Sequence, residues 1–88
     1  MYQKTVVVKN ATGLHARPAA MFIAEAKKFQ SAITIGREGE DKTVNAKSMV
    51  KLLTLAICQN QSVVLRAEGE DEVAAVDTLA ALIETFDE

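Results

Sequence analysis

The chain has 88 residues, of which 49% are hydrophobic and 25% charged, and a net charge of −2. This composition is typical of one globular domain, here residues 1–88, because disordered chains carry more net charge and less Val, Ile and Leu. No run of about 18 apolar residues could span a bilayer, and the N-terminus lacks the pattern of a signal peptide. We therefore expect a cytoplasmic protein that does not insert into a membrane.

Charge is distributed unevenly along the chain. Residues 1–67 carry 10 basic and 4 acidic side chains, whereas residues 68–88 carry 8 acidic side chains and no basic one. The negative net charge argues against a nucleic-acid partner, and the basic part could face an acidic protein or a phosphate. An acidic, solvated last helix explains the same asymmetry equally well.

The first predicted elements flank a turn. Residues 3–9 alternate between polar and apolar, with Val6 and Val8 on one face, which predicts a half-buried strand. After the turn, a helix is predicted from Ala16, because apolar residues then recur every three or four positions. Pro18 fits only in the first turn of that helix, where its missing N–H has no intrahelical acceptor.

The middle of the chain predicts a β-hairpin, a short helix and a further strand. Strands are predicted at 32–35 and 42–45, joined by a turn with two glycines. Ser48 then opens a short helix through Leu55. Residues 62–67 alternate again and predict the fourth strand.

The last predicted helix begins after Gly69. Acidic residues 70–72 lie in its first turn, where the helix dipole favours negative charge. The apolar residues of its predicted inner face are Val73, Val76, Leu79, Ala80, Ile83 and Phe86. The order βαββαβα predicts an α+β fold, an open-faced β-sandwich in which a four-stranded antiparallel sheet carries three helices on one face.

Cys58 is the only cysteine and follows the apolar residues Leu55, Ala56 and Ile57. We expect it to be a core residue, because a free cysteine in an apolar setting packs as a small hydrophobe. One cysteine cannot form an internal disulfide, and the single His and single Cys have no recognised metal-ligand spacing. The sequence predicts neither a metal site nor a cofactor.

The only histidine, His15, lies where the first strand ends and the first helix begins. N–H groups of a first helical turn attract phosphoryl groups, and Arg17 can donate two parallel hydrogen bonds to phosphate oxygens. A neutral imidazole can attack phosphorus to form a labile phosphoramidate, so this site suits the storage and transfer of a phosphoryl group. A solvated or helix-capping histidine without chemistry is the alternative.

Residues 13–20, Gly-Leu-His-Ala-Arg-Pro-Ala-Ala, resemble the active-site loop of the HPr family. These proteins are the histidine-containing phosphocarriers of the bacterial phosphoenolpyruvate-dependent sugar phosphotransferase system (PTS). Residues 45–48 (Asn-Ala-Lys-Ser), 51–52 (Lys-Leu) and 67–72 (Ala-Glu-Gly-Glu-Asp-Glu) match the family as well. The resemblance covers the full length and implies the same open-faced sandwich.

The resemblance implies that His15 accepts a phosphoryl group from enzyme I and passes it to IIA domains of sugar permeases, while Arg17 stabilises the phosphohistidine. Such a protein is a carrier and not an enzyme. A regulatory PTS paralogue, for example of a nitrogen-related branch, that binds proteins according to its phosphorylation state is the alternative. A small interaction module in which His15 is incidental is a third hypothesis. We expect a monomer, because a carrier exposes its site to successive partners.

A docking face around the short helix is also implied by the resemblance. Met49 and Val50 would form its apolar centre, although Met49 could instead fill a gap in the core. The basic residues at its rim would be Arg17, Lys27, Lys47 and Lys51.

Ser48 has two interpretations. It caps the short helix, or it matches the serine that a dedicated kinase phosphorylates in some branches of the family. The charge added there inhibits docking. Ser48 is therefore a candidate regulatory phosphorylation site, and a serine kinase and regulatory targets are candidate partners.

The chain departs from the usual family pattern in three places. Ala56 and Asn60 stand where glycine is common, and the turn at residues 36–41 is slightly longer. Asn tolerates left-handed backbone geometry, whereas Ala56 is expected to need a right-handed backbone or closer packing. These differences bear on branch and partner choice and do not touch His15.

Overall fold

Four strands and three helices follow one another in the order βαββαβα, as predicted. The computed structural model describes residues 1–87. Its elements are β1 (Tyr2–Val7), α1 (Ala16–Ala26), β2 (Ala32–Arg37), β3 (Thr43–Asn45), α2 (Met49–Thr54), β4 (Ser62–Glu68) and α3 (Glu72–Thr85). None of the helices in this described part is long and apolar enough to cross a membrane.

The strands form one antiparallel sheet in the order β1-β4-β2-β3. β4 lies between β1 and β2, with Val6 opposite Val63 and Ile35 opposite Leu65. These four side chains are buried beneath the helices, because alternate residues of a strand point to the same face. The predicted fold class and the inner faces of the strands are confirmed.

The predicted hairpin of β2 and β3 is confirmed, but β2 is longer than predicted. It continues through Gly36, which the sequence placed in the turn and which pairs with Thr43 and Val64. A Cβ on Gly36 would lie 2.6 Å from the carbonyl oxygen of Lys42. The glycine therefore allows the two strands to approach at the start of the turn. β1 in contrast ends at Val7, before the predicted end at residue 9.

α3 differs from the predicted helix at its N-terminal end. It begins at Glu72, with Asp71 at the N-cap position, so only one of the three acidic residues lies in its first turn. Val73 was predicted to face the core and is 51% exposed, while Ala75 is fully buried. At about 100° per residue, Val73 and Ala75 fall at opposite edges of the stripe that runs through Val76, and the Ala75 edge is the one that faces the core.

The segment after α2 corrects two further predictions. Cys58 is exposed, because the preceding Ile57 takes the inward position, and the thiol lies 3.3 Å from the carbonyl oxygen of Ala56. Ala56 has φ +51, in the left-handed region and not the expected right-handed one. Asn60, with φ +71, also adopts the geometry for which glycine is common.

Asp71 joins the two loops that precede β2 and α3. Its carboxylate accepts hydrogen bonds from the Ser31 hydroxyl and from the backbone N–H groups of Gln30 and Ser31, the latter two at 2.9 Å. These hydrogen bonds lower the pKa of the Asp71 carboxyl, and the bond from the Ser31 hydroxyl has the largest effect. Gly69 completes the contact, because a Cβ on it would lie 2.6 Å from Ser31 Oγ.

The Asp71 contact makes the stability of the fold depend on pH. A carboxyl whose pKa is lower in the folded than in the unfolded chain stabilises the fold above the unfolded value of about 4, and this contribution is lost as the pH falls through the folded value. We expect Asp71→Asn to lower Tm near neutral pH, and the difference from wild type to shrink below about pH 4.

Thermal unfolding followed by circular dichroism across this pH range checks the prediction. Glu70→Gln is the matched control, since it removes one negative charge from an adjacent exposed position. A Tm difference for Asp71→Asn that stays constant down to the lowest pH would contradict the assigned role.

Candidate functional site

The loop between β1 and α1 is pinned against the segment that follows α2. Asn10, only 5% exposed, donates from Nδ2 to the carbonyl oxygen of Gly13 at 2.9 Å. Leu14 donates its backbone N–H to the carbonyl oxygen of Ile57 at 3.1 Å, and its side chain is buried in the core. These contacts fix the backbone immediately before His15.

Gly13 is required for this arrangement on two grounds. Its φ of +65 lies in the left-handed region, which costs a non-glycine residue about 1–2 kcal/mol. A Cβ at this position would also collide with the carbonyl oxygen of Ile57 and lie 2.9 Å from Cα of Cys58. The two backbones can meet only because the side chain is absent.

His15 occupies the N-cap position of α1 in an extended conformation, with φ −129 and ψ 162. Its half-buried side chain makes no capping hydrogen bond, so the helix-capping interpretation is wrong. Ala16 then turns the chain sharply into the helix with φ +53. A left-handed non-glycine residue is strained, and such strain is concentrated at functional sites.

Arg17 lies in the first turn of α1, two residues after His15, and is exposed. Pro18 follows it and is buried, as predicted for a proline in a first turn. The structure thus brings the imidazole, the guanidinium-bearing residue and the N-terminal end of a helix to one place. That end attracts anions through its N–H groups and its dipole.

α1 and α2 run in opposite directions, and contacts connect them at both ends. The N-terminal end of α1 meets the segment after α2 through Leu14 and Ile57. At the other end, the segment that follows the C-terminus of α1 is joined to the start of α2. Lys47 makes this contact, since its Nζ donates to the carbonyl oxygen of Phe29 at 2.6 Å. The C-terminal end of α2 therefore lies next to the loop that carries His15.

The predicted docking residues occupy different parts of this arrangement. Val50 is 73% exposed, and Lys51 is also exposed on α2, whereas Met49 is half-buried and packs against the core. Lys47 is tied to Phe29, and Lys27 is the exposed C-cap of α1. Lys27 lies at the opposite end of α1 from His15, about 18 Å along the helix axis.

Two exposed apolar side chains near the site were not among the predicted docking residues. Met21 and Leu53 are each 41% exposed. Met21 lies four residues after Arg17 and so on the same face of α1, and Leu53 shares a face of α2 with Val50. The exposure of Met21 could have been predicted from the sequence, because the periodicity of α1 places Met21 on the side of the helix opposite its buried residues.

Ser48 is the N-cap of α2, as predicted. Its Oγ accepts a hydrogen bond from the backbone N–H of Lys51 at 3.3 Å. This bond satisfies one of the N–H groups that have no acceptor within a helix. Ser48 lies at the end of α2 that meets Phe29, and not at the end next to His15.

The family model described as the PTS HPr component phosphorylation site matches residues 2–85. The chain belongs to the HPr family. The phosphocarrier protein HPr of Haemophilus influenzae is 48% identical over 87 residues, which are 99% of this chain and 100% of that protein. Members of the family are phosphocarriers of the PTS, and this general role applies to the chain.

Solved structures of HPr-family proteins have the same fold. A crystal structure of HPr from Thermoanaerobacter tengcongensis has a TM-score of 0.91 and 47% identity, with 97% of this chain and 93% of that chain covered. Crh from Bacillus subtilis, a swapped dimer in its crystal, has a TM-score of 0.74 and 43% identity, with 100% of this chain and 99% of that chain covered.

Among residues 1–87, no group of three or more His, Cys, Asp or Glu side chains is placed to hold a metal ion.

The pinned loop predicts a large effect of Gly13→Ala. We expect a loss of about 3 kcal/mol in the free energy of unfolding, which combines left-handed strain with the collision against Ile57. Chemical denaturation measures this loss. Gly39→Ala is the matched control, because Gly39 has φ +85 but nothing lies within 4 Å of its added Cβ. Strain alone should cost it about 1 kcal/mol, and equal losses for the two variants would contradict the role of the Ile57 contact.

Proposed function

We propose that this chain carries a phosphoryl group on His15, accepts it from phosphorylated enzyme I and passes it to IIA domains of sugar permeases. The observation that supports this most strongly is the placement of His15. It stands at a helix N-terminus, its side chain is not used for capping, and Arg17 follows in the first turn. The protein itself is a carrier and not an enzyme, since it is the substrate of both steps.

In the accepting step, a ring nitrogen of His15 attacks the phosphorus atom. A P–N bond forms on His15 as the bond between phosphorus and the donor breaks, and the donor keeps the bonding electrons. Negative charge on the phosphoryl oxygens is stabilised by the first-turn N–H groups of α1 and by the Arg17 guanidinium. The acceptor reverses the same chemistry, so the strained, pinned loop presents one geometry to both partners.

Partner docking is proposed for the exposed apolar side chains beside this site. Val50 and Leu53 on α2 and Met21 on α1 would be covered by a partner, together with the accessible part of Met49. The basic residues Lys27, Lys47 and Lys51 would contribute at the rim, where charge steers association.

A regulatory PTS paralogue that binds proteins according to its phosphorylation state is the second candidate function. Similarity to Crh, a catabolite-repression protein, favours it. The presence of His15 favours the carrier. Regulation through phosphorylation of Ser48 stays a prediction, because the observed contact of Ser48 is its capping bond to Lys51. A cytoplasmic location and a monomeric state also stay predictions, and the swapped dimer of Crh is the alternative to the latter.

Phosphorylation of His15 is the direct test of the proposed carrier. We expect incubation with phosphoenolpyruvate and a catalytic amount of enzyme I to place one acid-labile, alkali-stable phosphate on the chain. His15→Ala should take up none, and Arg17→Lys should take it up more slowly, because an ammonium cannot bond two oxygens in parallel. Intact-mass measurement and release at low pH follow the label. Labelling of His15→Ala would overturn the assignment.

The docking face is tested by placing a charge on it. We expect Val50→Glu to raise KM for the carrier in the enzyme I reaction about tenfold, the loss typical of one central interface residue. Val73→Glu is the matched control, because Val73 is also an exposed helical valine, but on α3. Steady-state transfer from phosphorylated enzyme I gives both values of KM, and equal values would contradict the proposed face.

A further inference from the structure

Arg37 lies at the end of β2, on the side of the sheet that the helices cover. It alternates with the buried Ile33 and Ile35 and is itself 22% exposed. Its guanidinium extends to α2, where Nη2 donates to the carbonyl oxygen of Leu55 and lies 3.4 Å from that of Ala56. One side chain of the sheet thus contacts the end of the short helix.

The contacted carbonyls belong to the C-cap of α2 and the residue after it. Carbonyl groups at this end of a helix have no donor within the helix, and a cation there also interacts favourably with the helix dipole. α2 has only six residues, far fewer than the roughly 12–15 that an isolated helix needs. Its position must therefore come from tertiary contacts, and Arg37 supplies one at its C-terminal end.

Arg37 is itself held in place. Its Nη1 donates to Oε1 of Glu40, in the turn between β2 and β3, at 3.0 Å. Its Nε is buried and has no hydrogen-bond partner among residues 1–87. A buried, unsatisfied donor reduces stability, so the position of the guanidinium is maintained at a cost. Such a cost is consistent with a side chain whose contribution is geometric.

The segment that Arg37 contacts continues directly into the support for the His15 loop. Ile57 follows Ala56, and its carbonyl oxygen accepts the Leu14 N–H while its backbone packs against Gly13. The contacts therefore run without interruption from Arg37 through residues 55–57 to the backbone that carries His15.

We propose that Arg37 is a positioning residue for phosphoryl transfer. By bonding the carbonyls of Leu55 and Ala56 it fixes the C-terminal end of α2, and through Ile57 it fixes the loop that presents His15. It contacts neither the phosphoryl group nor the imidazole. This inference rests on the proposed carrier function and adds to it a contact that keeps α2 and the loop that carries His15 in fixed relative positions.

The test compares three variants in transfer from phosphorylated enzyme I at a temperature where each is folded. Arg37→Gln removes the charge and the planar fork, whereas Arg37→Lys keeps the charge alone. Glu40→Gln is the control, because it removes only the negative charge: the amide oxygen can still accept the Nη1 hydrogen bond that holds Arg37, and the bonds to α2 remain available. We expect Arg37→Gln to raise KM for the carrier about fivefold, equivalent to about 1 kcal/mol, with little change in kcat. Arg37→Lys should be intermediate and Glu40→Gln should match wild type.

Hydrogen exchange separates positioning from a purely structural role. We expect the amide of Leu14 to exchange faster in Arg37→Gln than in wild type, while amides in the centre of β4 are unchanged. A lower Tm with wild-type KM and wild-type Leu14 exchange would overturn the proposal. Should Arg37→Gln not fold, Arg37→Lys decides by the same two measurements. Failure of wild type to accept phosphate would instead overturn the proposed function, so the two failures are distinguishable.

Discussion

The close approach of two backbones at Gly13 and Ile57 is the constraint on which the site depends. No side chain fits between them, and the Leu14 N–H donates to the Ile57 carbonyl at the same point. Segments 43 or more residues apart in the chain are thereby brought together. Without this contact the loop before α1 would be an ordinary mobile connection, and the histidine that it carries would have no fixed direction.

From that contact the chemistry follows in short steps. A fixed Leu14 allows His15 to remain extended, and the left-handed Ala16 turns the chain so that the imidazole stands at the end of α1 without capping it. In the proposed carrier, the helix dipole, the first-turn N–H groups and Arg17 would then stabilise the negative charge of a phosphoryl group on the ring. A phosphocarrier needs little more, because phosphoryl transfer depends on position and charge, and each partner protein can complete the site.

The proposed docking of partners places a second requirement on the two helices beside the site. α2 is too short to be stable alone and is held at one end by Lys47 and Phe29, and at the other by Arg37 and the segment leading to Ile57. Its exposed Val50 and Leu53 are therefore rigidly placed although they are not buried. An apolar surface with a fixed shape can bind more than one protein, because little conformational entropy is lost when its side chains enter the interface.

Local patterns in the sequence determined the element order, the inner faces of the strands, the first-turn proline of α1 and the Ser48 cap, because each depends on residues a few positions apart. The motif around His15 also determined the family. Tertiary structure decided what local pattern could not. Val73 and Cys58 are exposed although they were expected to be buried, and Ala75 and Ile57 are buried in their place. Burial depends on which neighbours an element meets in the fold. The left-handed backbone of Ala56 follows from the way in which α2 ends. The bond from Arg37 to α2 joins residues 18 positions apart, and no periodicity carries information over that distance.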